Sequence, residues 1–293
     1  MNNQTLPTYT TTNFDNAKDF LNYLSPLNDK FRNSNVLYRG QADANWTLTP
    51  TVFRRGEFNS YPHHPVSYKF PEGTVAYWDW VISEVELLQK FLSYCNEAGI
   101  DVPANTSALH RKLANLKQGD RGMNLQKLLS WPDNDVIDAL GFAQHYSLPT
   151  RMLDWTKHAQ KAAYFALEGM NSPARVFDKG RLAVWILDCD LLNGISHDSH
   201  TVRVVDLPST LNRNIVAQSG RFTVISGVDI ARDLDDILIA SGNSAALEKV
   251  TLPWSENNSL IQYLDGFGIN ESTIYPNAYG AARAAKRSFR IDQ

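Results

Sequence analysis

Residues 144–168 concentrate side chains suited to chemistry, because arginine, aspartate, tryptophan and threonine stand close together just before a predicted helix. Pro149 cannot continue a helix, so we expect the helix predicted over 133–146 to end before it. On the turn or strand that follows lie Arg151, Asp154, Trp155 and Thr156. We expect the threonine to be the N-cap of the next helix, whose start offers free N–H groups and a positive dipole end. This pattern predicts an anion site, and the alternative is an internal ion pair between Arg151 and Asp154 with Trp155 in the core.

Arg39 is the second candidate, because it stands at the end of a short apolar segment. The neighbouring Gly40 lets a ligand approach the backbone closely, and a guanidinium is a planar fork that binds phosphate through two hydrogen bonds. The alternative is that Arg39 caps a sheet edge or pairs with an acid of a long predicted helix, such as Glu84 or Glu86. Gln218 is a third candidate, which either binds an amide or a ribose or closes a turn.

The composition excludes several classes of protein. The chain has 293 residues, 43% of them hydrophobic, and its 28 basic and 31 acidic side chains give a net charge of −3, which argues against a generally basic binder of nucleic acid or lipid. Two cysteines and no paired Cys/His spacing predict neither a disulfide framework nor a metal site. No apolar run reaches the length of a membrane span and the start lacks the features of a signal peptide, so we expect a cytoplasmic protein without membrane contact.

The pattern of elements predicts an α+β fold with most strands in the second half of the chain. We expect one domain over 1–293, with a helical insertion or lid over 75–132. Helices are predicted over 13–24, 74–98, 108–117, 124–131 and 133–146 and from about 276 onward, and strands over 35–40, 182–187, 201–207 and 222–226. We expect residues 46–53 to form an edge or irregular strand, and the first dozen residues to be frayed.

Four blocks of the chain resemble the FRG domain family, which is named for a Phe-Arg-Gly tripeptide near its start. The opening block is Tyr38-Arg39-Gly40-Gln41, followed by Trp46, Leu48, Pro50 and Arg54. The most specific block is 144–156, QHYSLPTRMLDWT, and the others lie at 218–223 and 268–280. The resemblance covers about 35–285. Tyr38 replaces the phenylalanine of the family name, and Ser147 stands where the family usually has glycine.

More distantly, the order of these blocks is similar to that of the mono-ADP-ribosyltransferase fold, which has a mixed, mainly antiparallel sheet. In that fold an arginine engages the dinucleotide, a Ser/Thr-rich strand shapes the nicotinamide pocket and a late glutamate polarises the ribose. The resemblance implies NAD as the substrate, with Arg39, Asp154 and Gln218 as catalytic residues. It implies a nucleotide-binding set of Tyr38, Arg39, Gly40, Gln41, Gln144, His145, Thr150, Arg151, Trp155 and Thr156. Within that set, Arg39 and Arg151 would clamp phosphates, and Trp155 or Tyr38 would stack on a ring.

Three functions stay open at this stage. The first is an enzyme that transfers or hydrolyses the ribosyl group of NAD, with an unidentified protein or nucleic-acid acceptor, for which the resemblance implies a toxin or antiviral effector. The second is a nucleotide- or RNA-sensing module without chemistry, because no acid lies in 213–223. The third is a structural or partner-interaction protein. The nucleotide functions depend on one geometric expectation, that the segment ending in Arg39 and the segment with Asp154 and Trp155 meet around a shared cleft that solvent reaches.

Overall fold

A computed structural model describes residues 8–31, 34–54, 77–118, 130–171, 179–192, 196–197, 200–207, 217–227 and 233–291. The strands within them are β1 (Thr10–Asn13), β2 (Val36–Gln41), β3 (Met152–Thr156), β4 (Arg181–Asp188), β5 (Ser196–His197), β6 (His200–Val205), β7 (Gly220–Gly227) and β8 (Leu247–Pro253). They form one sheet in the order β1-β8-β4-β2-β3-β7-β6-β5. The β1–β8 pair is parallel and the other pairs of these strands are antiparallel. The predicted α+β class with a mixed, mainly antiparallel sheet is confirmed.

Helices cover both faces of this sheet. They are α1 (Ala17–Tyr23), α2 (Tyr77–Glu97), α3 (Ser107–Gln118), α4 (Asn134–His145), α5 (Ala159–Glu168), α6 (Leu234–Ala240), α7 (Asn257–Gly266), α8 (Glu271–Ile274) and α9 (Ala278–Ile291). The apolar faces of α2, α3 and α4 pack together and against β3 and β7. Helices α1, α5 and α7 pack against β4 and β8 on the same face of the sheet. Helix α6 packs against the opposite face. No helix in the described ranges is both long enough and apolar enough to cross a membrane.

The sheet is almost divided between β2 and β3. Strand β2 pairs with β4 through six residues, and β3 pairs with β7 through five. Between β2 and β3, by contrast, a single pair is registered, Tyr38 with Thr156. The two strands diverge beyond this pair, so on the side of β3 the backbone after Tyr38 and the side chain of Arg39 face a gap instead of a neighbouring strand.

Helix α5 lies directly over this junction because β2 carries a glycine there. A Cβ atom built on Gly40 would lie 1.9 Å from the carbonyl oxygen of Ala162 and 2.6 Å from the amide nitrogen of Ala166. Such distances are far below van der Waals contact, so only glycine allows α5 to approach β2 this closely. The face of α5 that meets β2 carries small residues, and Ala162 and Ala166 are completely buried there.

A buried ion pair attaches α2 to the start of β3. Arg151 donates two hydrogen bonds to Glu84, from Nε to Oε2 at 2.8 Å and from Nη2 to Oε1 at 2.5 Å. The indole nitrogen of Trp131 donates to the same carboxylate at 2.8 Å, and the main-chain oxygen of Trp131 accepts from Arg151. Both charged side chains are only 2% exposed. Arg151 therefore connects the helical layer to the sheet.

Most of the predicted elements lie where the sequence pattern places them. The helices expected at 108–117 and 133–146, the strands at 35–40 and 182–187, and the terminal helix are confirmed within one or two residues. The helix expected over 13–24 forms over a shorter range, and that over 74–98 is described from 77 to 97. The helix expected over 124–131 falls almost entirely outside the described residues.

Three local expectations are wrong. Residues 10–13 are not frayed but form β1 against 248–251. Residues 46–53 form no strand, because side chains satisfy their backbone: Gln41 donates to the Thr47 oxygen and Asp235 accepts from the Leu48 N–H. Thr156 is not a helix N-cap, since β3 continues through it and His158 precedes α5. Strand β8 and helix α6 are present although no local pattern predicts them.

The turn after α4 explains one departure from the family pattern. Ser147 has φ of 68°, its N–H donates to the Gln144 oxygen, and the next N–H donates to the Ala143 oxygen. These two bonds form a Schellman motif, whose left-handed position is usually glycine. The motif ends α4 so that Gln144 and His145 occupy its last turn.

We expect Ser147→Gly to raise the free energy of unfolding by about 0.5–1 kcal/mol. The left-handed conformation costs a residue with a Cβ about 1–2 kcal/mol, and the freedom of glycine in the unfolded chain offsets part of the gain. The Ser147 side chain is exposed, so its loss removes no packing. Urea denaturation measures the difference. Ser147→Ala keeps the Cβ and is the control that shows no gain; equal stability of the glycine and alanine variants would contradict the prediction.

Candidate functional site

A cleft opens at the gap between β2 and β3. Its volume is about 300 Å³, at the lower end of the range for small-molecule sites. The residues that line it come from both halves of the sheet, from α4 and α5, and from the segment after α8. They are Tyr38, Arg39, Gly40, Gln144, His145, Asp154, Trp155, Thr156, Phe165, Gln218, Gly220, Arg221, Phe222 and Tyr275.

Arg39 lies in the gap itself. Its Nη1 donates to the main-chain oxygen of Asp154 at 2.7 Å and lies 3.6 Å from Oδ2 of the same residue. The side chain is 13% exposed, and its Nε is buried without a hydrogen-bond partner in the described part of the chain. Burial lowers the pKa of this guanidinium, and the carboxylate of Asp154 opposes that shift. One edge of the guanidinium thus holds the diverging strand, and the other edge has an unused donor.

Asp154 is the exposed acid of the cleft. Its side chain is 62% exposed, although both neighbours in β3 are buried. Oδ1 accepts a hydrogen bond from the amide nitrogen of Gln144 at 2.5 Å, and the amide oxygen of Gln144 accepts from the hydroxyl of Thr150. Residues on α4 and in the turn after it therefore hold this carboxylate beside the guanidinium of Arg39.

His145 adds a titratable group to the same wall. Burial lowers its pKa, and the nearby Asp154 carboxylate partly opposes this shift. A histidine with a lowered pKa is uncharged at neutral pH, so its ring has one nitrogen with a lone pair. The cleft thus brings together a cation, an anion and a neutral imidazole.

Gln218 belongs to a short turn that is fixed against β3. The Thr156 hydroxyl donates to the Gln218 main-chain oxygen at 2.6 Å, and Lys161 donates to the main-chain oxygen of Ala217. Ser219 closes the turn with φ of 52°. Gln218 therefore belongs to a turn, as one of the two alternatives predicts, and it also lines the cleft.

The aromatic lining differs from the expected one. Trp155 is 2% exposed and its indole N–H donates to the Thr223 hydroxyl at 2.9 Å, while Tyr38 is 6% exposed and packs edge-on against Phe31. Burial is also the main cause that raises the pKa of Tyr38 to about 12. Both rings belong mainly to the hydrophobic core. Phe165 and Tyr275 are only half-buried and present more ring surface to the cleft.

Three of the predicted binding residues lie outside the lining. Gln41 is buried, and its amide accepts from the indole of Trp185 at 2.7 Å and donates to Thr47. Thr150 is buried behind Gln144. Arg151 pairs with Glu84, which one alternative assigned to Arg39. Arg39 in turn lies beside Asp154, which the other alternative assigned to Arg151. Arg39 and Asp154 meet in the cleft, and Arg151 does not line it.

Some lining residues were not predicted. Tyr275 lies in the family-like block over 268–280, for which no binding residue was predicted. It is held there by a 2.6 Å hydrogen bond to Glu168 and by the guanidinium of Arg283 over its ring. Arg221 lies at the start of β7 and pairs with Asp206. Phe165 is a large aromatic residue among the alanines of α5, and this is the one sequence feature that could have indicated it. In the structure its ring is not fully covered by the core.

Comparison with protein families identifies a match. The family model described as FRG domain matches residues 34–175, which include β2, α4, β3 and α5. Comparison with curated proteins and with solved structures finds no match. Most of the cleft lining falls within the matched residues, and the 217–222 segment and Tyr275 lie beyond them.

Proposed function

Residues 34–175 make this chain a member of the FRG domain family, and from that premise we propose that its cleft binds a nucleotide of the NAD class and cleaves the bond between nicotinamide and ribose. As part of this proposal, the sheet and its cleft are related to the ADP-ribosyltransferase fold. The acceptor of the ribosyl group is water or an unidentified macromolecule, and a toxin or antiviral effector is the corresponding biological role.

The observation that carries this proposal is the incomplete hydrogen bonding of Arg39. A buried guanidinium normally has partners for its N–H groups, because a buried donor without a partner costs about 1–3 kcal/mol. Nη1 of Arg39 donates a hydrogen bond to the main-chain oxygen of Asp154, while Nε has no partner among the described residues. A diphosphate oxygen at this edge would complete the arginine with a charge-assisted bond.

The size of the cleft limits what enters it. A volume of about 300 Å³ suits one end of a dinucleotide better than the whole. We place the nicotinamide and its ribose inside, against the half-buried rings of Phe165 and Tyr275, with the diphosphate at Arg39. The remaining nucleoside then extends from the mouth of the cleft.

The chemistry needs few groups. The bond between C1′ of the ribose and the nicotinamide nitrogen breaks, and nicotinamide leaves as a neutral molecule with the bonding electrons. Positive charge develops on the ribose, where the carboxylate of Asp154 stabilises it electrostatically. Water or an acceptor hydroxyl then bonds to C1′ and loses a proton, which the uncharged imidazole of His145 on the wall of the cleft accepts.

Nicotinamide release tests this function. We expect the protein to release nicotinamide from NAD above a protein-free blank, and Asp154→Asn to slow release about tenfold. The loss is smaller than that expected for a buried group, since solvent screens a carboxylate that is 62% exposed. Chromatography with absorbance detection follows the product.

Asp190→Asn is the matched control. Asp190 also accepts a hydrogen bond from a side-chain amide, that of Asn35 at 3.2 Å, but it does not line the cleft. Its rate should equal that of the wild type. Background release by the wild type, or equal release by Asp154→Asn and the wild type, would rule out the catalytic function.

A nucleotide-binding module without turnover is the second candidate. It is favoured by Gln218, which lines the cleft where the resemblance would place a glutamate, and by Asp154 being the one carboxylate in the described lining. Tight binding of NAD without nicotinamide release would select this function over the enzyme.

A further inference from the structure

Asp154 is connected to the backbone of its own strand through two other side chains. The N–H of Met152 donates to Oγ1 of Thr150 at 3.2 Å, the Thr150 hydroxyl donates to Oε1 of Gln144, and Nε2 of Gln144 donates to Oδ1 of Asp154 at 2.5 Å. This chain, which we call the Thr150 relay, starts and ends in β3 and passes through the last turn of α4.

The direction of every bond in the relay follows from chemistry. A main-chain N–H can only donate, so the Thr150 oxygen accepts from Met152 and its own proton is available to Gln144. The oxygen of the Gln144 amide must then face Thr150, which turns the amide nitrogen toward Asp154. An ionised carboxylate only accepts hydrogen bonds, and so the chain ends consistently at Oδ1.

Burial gives the relay a fixed geometry. Thr150 is 1% exposed and Gln144 is half-buried, whereas Asp154 is 62% exposed at the end of the chain. An exposed aspartate on a strand would otherwise change rotamers freely in water. With Oδ1 held by Gln144, the second oxygen is placed 3.6 Å from Nη1 of Arg39.

We propose that Thr150 and Gln144 are positioning residues, which hold the carboxylate of Asp154 toward the substrate instead of binding the nucleotide themselves. This inference rests on the proposed function for its catalytic consequence. It changes the role implied by the family resemblance, in which both residues belong to the nucleotide-binding set. Thr150 acts entirely through Gln144, since it does not line the cleft.

Two isosteric variants test the relay. Thr150→Val removes the hydroxyl that orients the amide, and Gln144→Glu replaces the donor to Asp154 with a second carboxylate. For turnover of NAD, we expect each to lower kcat about tenfold with KM changed less than twofold, because the carboxylate is misplaced and the phosphate contact at Arg39 stays. Thr150→Ser keeps the hydroxyl and should restore kcat to within threefold of the wild type.

A ligand-free measurement separates this inference from the proposed function. In the wild type, the side-chain amide protons of Gln144 should exchange slowly and resonate downfield in NMR spectra, because they are bonded to a carboxylate. Thr150→Val should accelerate exchange at least fivefold. Thr251→Val is the control for losing a buried threonine hydroxyl elsewhere in the sheet, and it should leave the Gln144 amide unchanged.

The outcomes are distinct. An altered Gln144 amide in Thr150→Val, in a protein that releases no nicotinamide, keeps the relay and rejects the proposed activity. An unaltered amide overturns the relay, whatever the activity. If nicotinamide is released and Thr150→Val raises KM while kcat is unchanged, the two residues bind the nucleotide and the positioning role is wrong.

Discussion

Arg39→Ala is expected to weaken the binding of ADP about 100-fold while the protein stays folded. The guanidinium would give a diphosphate a charge-assisted hydrogen bond from Nε and the attraction of its positive charge in a largely buried site. A 100-fold loss corresponds to about 2.7 kcal/mol of binding free energy. The cost to stability is small, because the variant loses the bond to the Asp154 main-chain oxygen but also removes a buried Nε that has no partner in the described structure. Isothermal titration calorimetry measures the affinity, and thermal denaturation checks the fold.

Two further variants show whether the fork or only the charge matters. Arg39→Lys keeps the positive charge without the planar pair of donors, so we expect an intermediate loss of about tenfold. Arg181→Ala removes another arginine of the sheet, whose guanidinium bonds Thr251 and the main-chain oxygen of Phe14. This variant should have a lower free energy of unfolding and an unchanged affinity for ADP. Equal affinity of Arg39→Ala and the wild type would show that the anion does not bind at this arginine.

Binding of pyrophosphate shows whether Arg39 contacts the phosphates or the adenine base of ADP. If Arg39 binds the diphosphate, pyrophosphate alone should bind the wild type and lose affinity in Arg39→Ala by a similar factor. ADP binding that depends on Arg39 while pyrophosphate does not bind at all would place the base, rather than the phosphates, at this arginine. If neither ADP nor pyrophosphate binds the wild type, the nucleotide proposal is wrong.

The elements that local pattern predicts well are those whose contacts are local or fully apolar. Helix α4 has an N-cap aspartate and a periodic apolar face, and β4 is a continuous apolar run buried in the middle of the sheet. Strand β8 was missed because its polar residues are buried by distant partners: Glu248 bonds Lys30, and the ammonium group of Lys249 lies 4.3 Å from the ring centre of Trp185. No pattern within 247–253 shows those partners.

The same distinction applies to the cleft. The family-like block over 144–156 marked Asp154 and its neighbours, and Arg39 was marked by its position beside Gly40. What the sequence could not show is which carboxylate each arginine faces. Glu84 lies 67 positions from Arg151, and only the packing of α2 against the sheet decides that it pairs there and not with Arg39. Tyr275 joins the lining through the docking of α8 and α9, which is equally non-local.

Breaking the Glu84–Arg151 pair should be the most destabilising change considered, at about 3–5 kcal/mol for either Glu84→Gln or Arg151→Met. Both side chains are 2% exposed, so either substitution leaves a buried group without its partner. Glu84 also accepts the indole N–H of Trp131, and its carboxylate therefore satisfies donors from two segments at once. Urea denaturation gives the free energy of unfolding for each variant.

A double-mutant cycle separates the pair from its surroundings. Two apolar groups of similar volume need no solvation, so Glu84→Leu with Arg151→Met should cost less than the sum of the two single changes. Since Arg151 does not line the cleft, any of these variants that folds should bind ADP within about threefold of the wild type. Stable single variants would show that solvent reaches this pair, and a folded Arg151→Met protein that no longer binds ADP would return Arg151 to the nucleotide site.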